Sequence, residues 1–298
     1  MLNKISEIHA LAKKSKKKTI ALAAAHDEHA LMAVVKAREA GIIDAILVGD
    51  EVKIKQIAAE NKLDISGIEI INEPDITEAC NTAVKLISDK KAEILMKGDV
   101  PTSVMLKSVL NKDYGLRKGE LLSHFAIIEI ETYHKLFAFS DAGVNISPDI
   151  NTKKSIIENS VDCMRKLGID KPRVAIISAV ELINPFMQST IDGAVLSKMA
   201  QRNQIKDCII DGPLALDNAI NPESAKHKKI ISDVAGNADI LILPNIDAAN
   251  ILYKSIAFLT NAKCAAIIAG ASVPIVLTSR SDSDETKLNS IALAAAMK

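Results

Sequence analysis

The stretch "TIALAAAHDEHALMAVVKAREAGIIDAILV", residues 19–48, decides the fold class. It opens on a short apolar run, Thr19–Ala25, and closes on another, Ala45–Val48, with a helical pattern between them. Asp27 stands where a helix needs an N-cap, because its carboxylate can accept an orphan first-turn N–H. Leu31, Val34 and Val35 then repeat at helical spacing, and Gly41 supplies the stop. Strands this uniformly apolar, alternating with helices, belong to a parallel sheet buried on both faces. The expected class is α/β, doubly wound.

The alternation continues along the chain. Further strands are predicted at Ile68–Ile71, Ile94–Lys97, Val174–Ser178, Cys208–Asp211, Ile240–Leu243, Ala265–Ala269 and Pro274–Leu277. The exception is 125–140, where the apolar runs Phe125–Glu131 and Lys135–Ser140 flank the polar turn Thr132-Tyr133-His134 and read as a hairpin. The last two strands are too close for a crossover helix, which points to the chain re-entering its first domain there. The expected domains are 1–138 plus 276–298, and 139–275, both α/β with mainly parallel sheets.

Composition narrows the function classes. The chain has 298 residues, 48% of them apolar, with 3% aromatics and no Trp, so its cores are aliphatic. Formal net charge is zero, which argues against a nucleic-acid footprint or polybasic membrane attachment. "KKSKKKTIALAAAHDE" (13–28) imitates a secretory leader, but its apolar run is short and an amphipathic pattern precedes it, so it reads as a first helix and strand. No apolar run approaches the ~18–20 residues of a membrane span, and the expected location is the cytoplasm. Cys80, Cys163, Cys208 and Cys264 form no metal- or redox-type pair and read as free buried thiols.

Dinucleotide, Walker-type and nucleophile-elbow glycine motifs are absent. Four loops instead follow predicted strands. "ILMKGDVPTSVMLKSVL" (94–110) runs strand, loop, helix; Lys97 and Gly98 leave the strand, Pro101 suits a first helical turn, and Thr102 and Ser103 join helix-start N–H groups that can hold an anion. "FSDAGVNISPDI" (139–150) offers Asp141 and Asn145, or simply an Asx-rich linker and helix cap. "DGPLALDNAI" (211–220) reads as a turn into a capped helix. In "LPNIDAANILYKS" (243–255), Asn245, Asn250, Tyr253 and Lys254 could converge on a ligand. Open α/β sheets place ligands outside the carboxyl ends of their strands, so the shared position of these loops says more than any one of them. "HDEH" (26–29) lacks the register of a metal-binding helix pair. Near the C-terminus, Ser279-Arg280 closes the last strand. Arginine's planar fork suits phosphate, although Arg280 could equally pair with Asp282 or Asp284.

Taken together, "MKGDVPTS", "SDAGVNISPDINTKKSIIENSV", "RVAIISAVE", "DGPLALDNAI", "AGNADILILPNIDAANILYKS" and "VPIVLTSRSDSDETKLNSIALA" resemble the phosphate acetyltransferase/butyryltransferase family, in order, over residues 94–298. Length, "LLSH" (121–124) and "SRSDSDETKLNS" (279–290) lean toward its short, butyryl-like branch. The resemblance implies a reversible reaction, acyl-CoA plus phosphate giving acyl phosphate plus CoA. It implies two α/β domains around a cleft, related to isocitrate and isopropylmalate dehydrogenases, in a homodimer or larger homo-oligomer. Coenzyme A and acyl-CoA would be substrates, with no permanently bound cofactor or metal. Ser279 and Arg280 would be catalytic; Lys97, Gly98, Thr102, Asp141, Asn145, Asn245, Asn250, Tyr253 and Lys254 would bind substrate.

Two positions depart from the family pattern. Thr286 stands where the acetyl branch has an aspartate proposed as base, and Ala249 replaces a glycine, which could narrow the local backbone or trim space near Asn250. A phosphate acetyltransferase is the nearest alternative. An NAD-dependent dehydrogenase-like enzyme and a non-catalytic CoA- or phosphate-binding protein are the others.

Overall fold

Residues 19–48 fold as the pattern dictates. In a computed structural model, which describes residues 2–119, 121–279 and 282–297, α1 (Ile5–Lys14) is followed by β1 (Lys18–Ala23), α2 (Glu28–Glu39) and β2 (Ile43–Gly49). Asp27 caps α2 by accepting the Ala30 N–H at 2.8 Å, and Gly41 closes the helix with φ +74°. Leu31, Val34 and Val35 are buried.

The chain divides into two compact units, Met1–Ile5 with Leu121–Cys264 and Ser6–Glu120 with Ala265–Lys298. The latter, from the two flanks of the sequence, is the flanking unit; the former is the middle unit. In the flanking unit the chain continues through α3 (Glu51–Glu60), β3 (Glu69–Asn72), α4 (Ile76–Ser88), β4 (Ile94–Lys97) and α5 (Thr102–Val109). β1 pairs in parallel with β2 from Lys18↔Ile43 to Ala23↔Val48, and on its other side with β4 from Ile20↔Ile94 to Ala23↔Lys97. β3 extends the β2 side. Strand order therefore reverses between β1 and β4, the arrangement that opens a crevice at the strands' carboxyl ends.

The middle unit holds β5 (Ser123–Glu129), β6 (Phe137–Ser140), α6 (Ile150–Lys166), β7 (Arg173–Ile177), α7 (Gln188–Gln201), β8 (Ile209–Leu214), α8 (Leu216–Ile220), α9 (Pro222–His227), β9 (Ile240–Ile242) and α10 (Ile246–Leu259). β5 and β6 form the predicted hairpin, with Ala126↔Phe139 antiparallel. β6, β9, β7 and β8 then run parallel in that order. The hairpin turn is tied to β9 through buried polar groups. The Lys135 ammonium donates to Asp239 and, at 2.9 Å, to the Asn237 carbonyl, while the other Asp239 oxygen accepts the Arg173 N–H at 2.7 Å. Tyr133 O–H donates to the Ala238 carbonyl at 2.8 Å. The chain then supplies β10 (Lys263–Ala269), β11 (Ile275–Val276) and α11 (Asp284–Ala296). β11 lies parallel to β4, and β10 pairs antiparallel with β11 at Ile268↔Ile275, which is why no crossover helix was needed.

All eleven predicted strands form, with ends shifted by a few residues. The unit boundaries fall elsewhere than the expected 138/139 and 275/276. The hairpin belongs with the middle unit because β6 is hydrogen-bonded along β9. The return to the flanking unit comes at Ala265, inside β10, rather than after it. The N-terminal residues Met1–Ile5 group with the middle unit, where the Leu2 carbonyl accepts the Leu136 N–H at 3.1 Å. Two local readings also change. Pro101 is the N-cap of α5 rather than a residue of its first turn, and Gly212-Pro213 lies inside β8 rather than in a turn after it.

Candidate active site

In the flanking unit, the carboxyl ends of β1 and β4 come together at close range. Gly98 donates its N–H to the Ala23 carbonyl at 2.8 Å and Asp99 donates to Ala24 at 3.0 Å. Ala24 is held at φ +51°, a left-handed conformation uncommon outside glycine. These contacts turn the loop after β1 across the loop after β4. Between them lies a cavity of about 380 Å³ lined by His26, Asp27, Glu28, His29, Ala30, Lys97, Gly98, Asp99, Thr278, Ser279 and Lys287. It sits at the point where strand order reverses, the crevice the topology predicts.

Several polar wall groups are held by protein neighbours. Lys97 is nearly buried, and its ammonium donates to the Gly98 carbonyl at 3.0 Å and the Val100 carbonyl at 2.9 Å, fixing its position. Lys287, also buried, donates to the Asp282 carbonyl. Two lysines so anchored bring fixed positive charge to one small space, which favours an anion. The Ser279 N–H donates to the Asp282 carboxylate at 2.7 Å. His29 Nδ1 lies 3.0 Å from Asp284 Oδ1. His26 Nδ1 is buried without a hydrogen-bond partner, facing the Cα of Gly49. Thr286 serves the start of α11, where its N–H donates to the N-cap Ser283 Oγ at 3.1 Å.

Of the residues singled out from sequence, Lys97, Gly98 and Ser279 line this one cavity. Arg280 lies outside the described residues. Thr102 is the first residue of α5, whose N-cap makes no side-chain hydrogen bond. His26, His29, Thr278 and Lys287 were missed. "HDEH" was weighed only as a metal motif, whereas the usable signal was its place directly after the strand at which the order reverses. Among the described residues, no group of three or more His, Cys, Asp or Glu could hold a metal ion.

In the middle unit, Asp141 and Asn145 are spent largely on each other. The Asp141 carboxylate accepts the N–H groups of Gly143 at 2.9 Å, Val144 at 3.0 Å and Asn145 at 3.2 Å, and the Asn145 side-chain amide at 2.5 Å. The Asn145 amide also donates to the Leu122 carbonyl at 2.9 Å. Asn245 caps α10 by accepting the Ala248 N–H at 3.0 Å. Asn250 donates to the Ala142 carbonyl at 3.1 Å, so the start of α10 is bonded to the Asp141 loop. Tyr253 is buried, edge-on to His124 at 6.1 Å. Lys254 does not join them: it is exposed, with its ammonium 5.9 Å from the Phe258 ring. Ala249 sits fully buried inside α10, where ordinary helical backbone suits alanine, so the departure from glycine does not restrict a loop there.

The Cys80 and Cys208 thiols are not poised as nucleophiles. Burial pushes Cys80 and Cys208 up to about 11, and none of the four cysteines is in a disulfide; Cys80, Cys163 and Cys264 are buried, Cys208 partly exposed.

The family model described as "Phosphate acetyl/butaryl transferase" matches residues 4–81 and 73–295. The chain is 48% identical over 295 residues to the phosphate butyryltransferase of Clostridium acetobutylicum, covering 99% of this chain and 98% of that protein. It is 45% identical over 282 residues to the phosphate acetyltransferase of Thermotoga maritima, covering 95% and 96%. Among solved structures, a branched-chain phosphotransacylase from Enterococcus faecalis V583 superposes with TM-score 0.83 at 33% identity, covering 94% of this chain and 98% of that one. The chain belongs to the phosphate acetyl/butyryl transferase family.

Proposed function

We propose that this protein is a phosphate acyltransferase that interconverts a short-chain acyl-CoA plus phosphate and the acyl phosphate plus CoA, with butyryl preferred over acetyl. The observation that carries it is the cavity at the strand-order reversal, where Lys97, Lys287 and Ser279 meet. Phosphate is already an anion at neutral pH, so the chemistry asks for holding and orienting rather than for making a nucleophile. The anchored lysines, Gly98 and the start of α5 at Thr102 are suited to that, and Arg280 is proposed from its chemistry as a further phosphate ligand. As a phosphate oxygen attacks the thioester carbon, negative charge grows on the carbonyl oxygen and then on the departing sulfur. Ser279 and neighbouring N–H groups are the proposed stabilisers.

No covalent enzyme intermediate is required, which accords with burial holding the Cys80 and Cys208 thiols protonated. In the middle unit, Asn245, Asn250 and Tyr253 are proposed substrate contacts, with Asp141 and Asn145 shaping their loop and Lys254 lying apart on the exposed face of α10. CoA enters as substrate, without a resident cofactor. A cytoplasmic homo-oligomer completes the reading.

The test is phosphate-dependent release of free thiol from butyryl-CoA and acetyl-CoA by the purified protein. Faster turnover of butyryl-CoA is expected. Faster turnover of acetyl-CoA would make this an acetyltransferase, and no phosphate-dependent release from any short acyl-CoA would overturn the assignment.

A further inference from the structure

The proposed reaction moves one proton from phosphate to sulfur. We propose that His29, held by Asp284, is the catalytic residue that carries this proton; the inference rests on the acyl-transfer reading above. His29 is the second residue of α2 and Asp284 the first of α11, and the imidazole Nδ1 stands 3.0 Å from Asp284 Oδ1. Nδ1–H donating to that carboxylate leaves Nε2 as the acceptor, the arrangement by which a carboxylate fixes a catalytic histidine's tautomer and stabilises its imidazolium. His29 lines the same cavity as Lys97 and Ser279, and its side chain is 59% exposed, so a substrate can reach it.

The other titratable groups of the cavity are poorly suited. Lys97 and Lys287 are held by carbonyls as fixed cations. Asp27 is committed to capping α2. Asp99 is already engaged in an interaction of its own. Glu28, the first residue of α2, is exposed like His29, but no hydrogen bond from a described residue orients its carboxylate. His26 has its Nδ1 turned into protein against Gly49, with no carboxylate to orient it.

The step balances in both directions. When acyl phosphate is consumed, His29 Nε2 takes the CoA thiol proton and the thiolate attacks the acyl carbon. The C–O bond to phosphate breaks, and the leaving phosphate oxygen takes the proton back from the imidazolium. In the other direction phosphate gives up the proton as its oxygen attacks, the C–S bond breaks, and the thiolate receives it. Asp284 stays ionised throughout.

The experiment follows butyryl-CoA formation from butyryl phosphate and CoA, beside the phosphate-dependent thiol assay. His29→Ala is expected to lower kcat by about 100-fold or more, the scale of general acid–base catalysis, with KM for butyryl phosphate nearly unchanged. Added imidazole should restore a large part of the loss, which it would not do for a structural lesion. Asp284→Asn, equal in size, should lower kcat by at least about tenfold through loss of the oriented tautomer. Thermal melts should match the parent protein. Wild-type kcat in His29→Ala, or a loss that imidazole leaves untouched, overturns the assignment. If the parent protein itself shows no phosphate-dependent thiol release, the acyl-transfer reading falls and this one with it. If the parent is active and His29→Ala equally so, only the proton carrier falls.

Discussion

A Cβ added to Gly98 would stand 2.2 Å from the carbonyl oxygen of Ala24 and 2.8 Å from that of Ala23. Both neighbours are backbone, in a segment where Ala24 is already held at φ +51°, so nothing flexible can yield. Gly98→Ala must therefore push apart the ends of β1 and β4, which form the floor of the cavity. A loss of about 2–3 kcal/mol is expected, the upper part of the range for single substitutions. Urea unfolding would measure it, and wild-type stability would mean the two loops are not packed as described.

A second prediction concerns the Lys135–Asp239 pair, whose side chains are 1% and 6% exposed. Burial pulls the Lys135 ammonium below its ordinary range, opposed by its hydrogen bond and attraction to Asp239. Lys135→Met removes one charge and leaves the other buried, with the Asn237 carbonyl also losing its donor. Breaking a buried pair in this way costs about 3–5 kcal/mol. Asp239→Asn should be less damaging than Asp239→Leu, because an amide oxygen can still accept the Arg173 N–H. Denaturant curves for the three variants order the effects, and a stable Lys135→Met would contradict the account.

What was legible in the sequence follows the range of the forces involved. Strand and helix positions are set by local periodicity, so the βαβ pattern at 19–48 and the hairpin at 125–140 could be read directly. The unit boundaries could not. The hairpin's membership depends on β6 pairing with β9, whose Ala138↔Ile240 partners lie far apart in the chain. The site shows the same division. Lys97, Gly98 and Ser279 were visible because each lies at or just beyond the carboxyl end of a recognisable strand. His29 was visible only as a possible metal ligand, because its partner Asp284 is 255 residues away. Asp141 and Lys254 looked equally promising as polar residues near strand ends. Only three-dimensional contacts reveal that one is consumed by its own loop and the other lies on an exposed helix face.

Ala249 gives a prediction with a sign opposite to the family pattern. It is fully buried in the first turn of α10, with its N–H directed to the Asn245 carbonyl at 3.2 Å. Glycine in a helix costs about 1 kcal/mol relative to alanine. Ala249→Gly should therefore lower the stability of the middle unit by about that amount, and should not raise kcat for butyryl-CoA or acetyl-CoA. A marked gain in turnover would show that alanine obstructs substrate.

The last prediction separates direct transfer from a cysteine-bound acyl intermediate. Desolvation is the main cause that pushes Cys80 and Cys208 up to about 11, reinforced for Cys208 by the Asp207 carboxylate. The thiolate is the reactive form, and at pH 8 a thiol titrating near 11 is ionised in roughly one molecule in a thousand. Cys208, the partly exposed one, should react with a thiol reagent far more slowly than free cysteine, and faster as pH is raised toward 11. Cys80 should react only on unfolding, being fully buried. Cys208→Ala should keep wild-type phosphate-dependent turnover, and isotopic exchange between CoA and acyl-CoA in the absence of phosphate should be undetectable. Such exchange, abolished by replacing any one cysteine, would establish a covalent acyl-enzyme and sink the direct mechanism.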